Sequence, residues 1–124
     1  MNLWIAIALG GALGATARFA MSHQVYQWLG RDFAWGTLSV NVLGSFLMGL
    51  LSVIIIDKLA LTTEWRSFLL VGFLGAFTTF STFSYETMQY IQVGELSKAM
   101  LNILVSVVVC LVAVWLGLLA GKQF

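Results

Sequence analysis

Four long apolar runs, separated by short polar breaks, set the pattern of this chain: residues 3–22, 35–56, 65–93 and 96–121. The breaks hold Arg31 and Asp32, then Asp57, Lys58, Glu64 and Arg66, then Gly94, Glu95 and Lys98. Each run approaches or exceeds the about 20 residues that a helix needs to cross a hydrocarbon core. The pattern therefore predicts four transmembrane helices in one domain covering residues 1–124. Trp4, Trp28, Trp35, Trp65 and Trp115 all fall near the run ends, where an amphipathic ring sits at headgroup level.

Composition strengthens this reading. Hydrophobic residues make up 60% of the chain and charged residues 9%, against about 25% charged in soluble domains. Too few charges exist to cover a soluble surface, so the fold class is an all-α integral membrane protein. Six Lys and Arg against five Asp and Glu give a net charge of +1, with no basic patch for nucleic acid. The single cysteine, Cys110, excludes an intrachain disulfide and a CxxC pair. The first run carries an Ala15-Thr16-Ala17 spacing like that of a signal cleavage site, but no Lys or Arg precedes it, and it is read as a retained helix. His23, the sole histidine, is read as an interfacial side chain.

Loop charge normally sets orientation. Lys58, Arg66 and Lys122 share one side with the termini, while Arg31 and Lys98, plus Arg18 if it reaches that interface, occupy the other. So near a tie is compatible with insertion in both directions, and the assembly it suggests is an antiparallel, dual-topology homodimer with its two-fold axis in the membrane plane.

Proline is absent and glycine occurs twelve times, mostly within the runs. Gly10 and Gly14, Ser45 and Gly49, and Gly117 and Gly121 have the small-xxx-small spacing that lets helix backbones touch. Two stripes add polarity to this packing. Thr37, Asn41 and Ser45 recur every four residues on the second run, as do Asn102, Ser106 and Cys110 on the fourth. Such stripes serve either interhelical hydrogen bonding or a wet path.

The third run is the most informative. Six of the nine residues from Thr78 to Glu86 are Ser, Thr or Glu, including Ser81, Thr82 and Ser84. Gly72 and Gly75, followed by the β-branched Thr78 and Thr79, form a poor helix centre and predict a break near Gly75–Thr79. Carbonyls freed at membrane depth need protein, water or an ion as partner. The half-helix beyond the break favours an anion at its N-terminus. Phe77, Phe80 and Phe83 fall three apart; Phe77 is read as a core or lipid contact. Phe80 and Phe83, interleaved with hydroxyls, can present positive ring edges to a desolvated anion. Hydroxyls and the Asn41 amide supply donors without adding charge. Glu86 is an intramembrane carboxylate, hence a candidate gating or proton group. Arg18 either snorkels to the interface or charges an anion vestibule.

The segments GGALGATARF at 10–19, GTLSVNVLGSFLMG at 36–49 and GFLGAFTTFSTFSYE at 72–86 resemble the Fluc, or CrcB-like, family of microbial fluoride channels. The likeness covers the first three runs by motif and the fourth by length and polar stripe. It implies passive fluoride export through two pores of an antiparallel homodimer in the bacterial inner (plasma) membrane, lowering fluoride toxicity. It also implies a structural, untransported sodium ion at the dimer centre. By this resemblance Phe80 and Phe83 line the pore, Asn41 is the pore amide, and the Gly75 and Thr78 backbone carbonyls hold sodium. Arg18 matches the family's first-span arginine. The expected fluoride pathway comprises Asn41, Phe80, Phe83, Thr37, Ser81, Thr82, Ser84, Ser106 and Arg18. Two other readings stand beside it: a proton-coupled small multidrug exporter using Glu86, and a structural membrane subunit whose stripes serve only helix association. No nucleotide loop or nucleophile–base pair is present, so an enzyme is not expected.

Overall fold

The computed structural model describes residues 2–124 and is helical throughout its regular elements. We label the helices α1 (Leu3–Leu29), α2 (Trp35–Lys58), α3 (residues 63–77), α4 (Phe80–Gln92) and α5 (Leu96–Gly121). Four helical stretches are long and apolar enough to cross a membrane: α1, α2, the continuous path Thr63–Gln92 through α3 and α4, and α5. The protein is an all-helical integral membrane protein.

Helix ends follow capping chemistry more closely than the edges of the apolar runs. The Asn2 side chain accepts from the Ile5 N–H at 2.8 Å and starts α1. The apolar run ends near Ser22, but α1 continues to Leu29 because nothing in His23–Leu29 breaks a helix. Gly30, at φ +83°, then terminates it. The expected end at residue 22 is thus seven residues short. Likewise α2 runs past residue 56 to Lys58. Its last stretch, Val53–Lys58, adopts the wider π geometry, as does Ser67–Leu74 within α3. Thr62 caps α3 from outside, accepting from the Trp65 N–H. The bounds of α5 coincide with the fourth run.

Two close crossings hold the bundle. Helix α1 packs along the π segment of α3, where a Cβ on Gly10 or Gly14 would overlap the Phe68 or Phe73 carbonyl. Helix α2 packs along α5, where a Cβ on Gly49 would overlap the Val114 carbonyl and one on Gly117 the Phe46 carbonyl. In lipid no hydrophobic force drives helices together, so such backbone approach supplies the packing. Trp4, Trp28, Trp65 and Trp115 are exposed near the helix ends, as an interfacial belt requires.

The path between α3 and α4 positions the site. Helical dihedrals stop at Phe77; Thr78 (φ −90°, ψ 158°) and Thr79 (φ −150°, ψ 115°) are extended, and helix resumes at Phe80. The Thr79 hydroxyl caps α4 by accepting from the Thr82 N–H at 3.2 Å.

Candidate functional site

Asn41 of α2 reaches across to these extended residues with both ends of its amide. Its Oδ1 accepts from the Thr79 N–H at 2.7 Å, and its Nδ2 donates to the Thr79 carbonyl at 3.0 Å. In an unbroken helix the Thr79 N–H would bond the Gly75 carbonyl. Here it is diverted, which releases that carbonyl. The neighbouring Ala76 carbonyl receives the Arg18 Nε–H at 2.9 Å. Gly44, one turn nearer the α2 C-terminus than Val40, leaves the space taken by the Thr78 methyl group. Gly75 is exposed, with no atom nearer than 3.8 Å to where a Cβ would stand.

A cleft of about 390 Å³ opens beside this junction. Asn41, Thr78, Thr79, Phe80, Phe83 and Ser106 line it, with Gly44, Ser45, Met48 and Cys110 and apolar residues of α5. The Phe80 and Phe83 centroids lie 5.3 Å apart with the rings tilted by 48°. Phe83 is buried, whereas Phe80 is 76% exposed and leaves one wall of the cleft unfinished. Of the two readings for Phe77, core or lipid contact, the structure gives the first: it is buried and stacks on Phe73 at 6.0 Å.

The remaining candidates are distributed differently. Thr37 and Glu86 meet beyond the Asn41 end of the cleft, where the Thr37 hydroxyl donates to Glu86 Oε1 and the Tyr26 hydroxyl donates to Oε2 at 2.6 Å. Tyr26, Arg31, Glu86, Gln89 and Tyr90 line a second, smaller cavity of about 180 Å³ there. Ser81 and Thr82 bond to the Thr79 hydroxyl, at 3.1 and 3.2 Å, and Ser84 bonds back to the Phe80 carbonyl at 2.9 Å. Those three shape the α4 N-terminus and do not line the cleft. Arg18 lines neither cavity, being held at Ala76. On the fourth-run stripe, Asn102 is buried and donates to Thr87 Oγ1 at 2.9 Å, while accepting from Ser106 at 3.3 Å. It ties α4 to α5, leaving Ser106 and Cys110 at the cleft.

Sequence reasoning missed Tyr26, Thr87 and the pairing of Asn41 with Thr79. A Thr three residues before another polar residue at a resuming helix is a capping signal that singles out Thr79. Nothing local marks Tyr26 or Thr87, whose partners are 60 and 15 residues away.

Comparison with known proteins adds the lineage of this arrangement. Residues 5–118 match the family described as CrcB-like protein, Camphor Resistance (CrcB). The chain belongs to the CrcB family. A relative from Hydrogenovibrio crunogenus, named fluoride-specific ion channel FluC, is 66% identical over 97% of this chain and 91% of its own length. A protein of the same name from Methylococcus capsulatus is 60% identical over 99% of this chain, which spans 54% of that longer protein. Another from Magnetococcus marinus is 55% identical over 94% of each. CrcB relatives so named are channels and not enzymes, so the cleft is that of an ion-channel family member.

Proposed function

We propose that this protein is a fluoride channel that lets fluoride leave the cytoplasm passively, and that it works as an antiparallel homodimer in the bacterial inner membrane. The observation that carries the reading is the Asn41–Thr79 junction beside the Phe80–Phe83 pair, at the mouth of a cleft with one wall missing. The name of the 66% identical relative supplies the ion. A second copy supplies the missing wall, because Phe80 and Gly75 both face outward from a single chain.

The walls suit a strongly hydrated anion. Amide and hydroxyl donors at Asn41 and Ser106 replace hydration without a full positive charge, and ring edges at Phe80 and Phe83 add weak positive potential. A fixed cation on that wall would bind fluoride too strongly for conduction. The pathway we assign is therefore Phe80, Phe83, Asn41 and Ser106, while the Thr37 hydroxyl is taken up by Glu86 outside the cleft. Ser81, Thr82 and Ser84 support it by fixing the start of α4, and Arg18 by satisfying the Ala76 carbonyl.

The interrupted segment also fits a structural sodium ion, which would supply positive charge at the dimer centre. The Gly75 carbonyl has lost its helical donor to Asn41, and Thr78 lies in extended backbone. Carbonyl oxygens suit a hard cation, and two copies would bring two from each chain.

A proton-coupled exporter is not favoured. Glu86 is engaged by two hydroxyls of its own chain, and α1 carries no carboxylate. Liposomes containing the purified protein and loaded with potassium fluoride should release fluoride to an electrode rapidly when potassium is made permeable, and should retain chloride. Equal release of both anions, or of neither, would overturn the reading. With Glu86→Gln, an exporter would lose all transport, whereas the channel keeps passing fluoride at a measurable rate.

A further inference from the structure

Glu86 lies inside the third span and makes no ion pair of its own, although Arg31 lines the same small cavity; among the described residues the ion pair present is Glu95–Lys98 at 3.3 Å. Its two oxygens instead take one hydroxyl each, Tyr26 on Oε2 and Thr37 on Oε1. Both bonds run from a hydroxyl to a carboxyl oxygen, and together they hold the group in one orientation. The Tyr26 ring is itself fixed. A Cβ on Gly36 would overlap its edge, so only glycine lets α2 lie against it, and the Arg31 guanidinium sits 4.6 Å from its centroid.

The position of this clamp gives it consequence. Thr37 is one turn from Asn41 on α2, and Glu86 is three residues beyond Phe83 on α4. The carboxylate therefore lines the smaller cavity, within about one helical turn of the cleft-lining Phe83. Left free, it could swing toward the Phe80–Phe83 rings and repel the permeating anion, in surroundings where water screens charge weakly.

We propose that Tyr26 is a positioning residue that pins the Glu86 carboxylate away from the anion path, and that it acts only through that charge. The inference rests on the fluoride-channel reading above. Tyr26→Phe keeps the ring against Gly36 and removes only the hydroxyl. It should slow fluoride efflux from liposomes about tenfold, the scale set by losing one hydrogen bond to a charged group. In a Glu86→Gln background the same substitution should change the rate by less than about twofold, because the group it restrains no longer carries charge.

The experiment measures wild type, Y26F, E86Q and the double variant side by side, each first shown to have the same oligomeric state. A merely structural tyrosine would give the same loss in both backgrounds. Equal losses, or no loss from Y26F in either, overturn the proposal. Wild-type protein that passes no fluoride would instead defeat the functional reading, so the two failures are distinguishable.

Discussion

At the scale of single residues, the Asn41 amide has two duties that one substitution separates from bulk packing. It satisfies a backbone donor and acceptor at Thr79, and it faces the cleft. Asn41→Ala should lower thermal stability in detergent by about 1–3 kcal/mol, the cost of leaving such groups unpaired. It should reduce fluoride efflux by at least about tenfold. Arg18→Ala should cost a similar amount of stability by orphaning the Ala76 carbonyl, with Arg18→Lys failing to restore it in a thermal melt, because lysine offers no planar N–H at that reach. Much of this was legible in the sequence. Asn41, Phe80, Phe83 and Ser106 were singled out by periodicity and by interleaving of polar and aromatic residues, and they meet at one cleft. Arg18 was placed on the correct helix, but its partner was not legible, since a backbone carbonyl 58 residues away leaves no trace in residue type.

At the scale of elements, small-xxx-small spacing marks the helix faces that pack closely, without naming the helices they meet. Gly14 and Gly117 both meet facing carbonyl backbone. Backbone cannot swing aside as a side chain can, so Gly14→Ala should destabilise the fold by about 1–3 kcal/mol, measured by thermal unfolding in detergent. Gly30, at φ +83°, ends α1, and its role as terminator was available from sequence; hydropathy alone placed the end too early because His23–Leu29 leaves the apolar run while staying helical. The π stretches Val53–Lys58 and Ser67–Leu74 were not legible. They contain ordinary apolar residues, and a 3.6-residue period does not register a wider turn. The extended residues Thr78 and Thr79 lie within the segment that weak helix propensity marked. What propensity could not supply was the reason the interruption is stable: Asn41, 38 residues earlier, accepts from the Thr79 N–H that the interruption leaves without a helical partner, and donates to the Thr79 carbonyl.

At the scale of the whole molecule, the near-balanced loop charges, the outward Phe80 and the exposed Gly75 are the features on which the proposed homodimer rests. If the carbonyls of Gly75 and Thr78 from two chains share a sodium ion, replacing sodium on both sides of the membrane with a larger organic cation should lower fluoride flux. Indifference to that exchange in a flux assay would remove the ion from the account. The central claim is that fluoride moves along the cleft walled by Asn41, Phe80, Phe83 and Ser106, completed by a partner chain. Its most direct test is anion efflux from liposomes containing either wild type or Asn41→Ala of matched oligomeric state, read with fluoride and chloride electrodes. Wild type should release fluoride rapidly and retain chloride, and the variant should release fluoride at least about tenfold more slowly. Unchanged fluoride release through Asn41→Ala, or chloride passing as fast as fluoride, would contradict it.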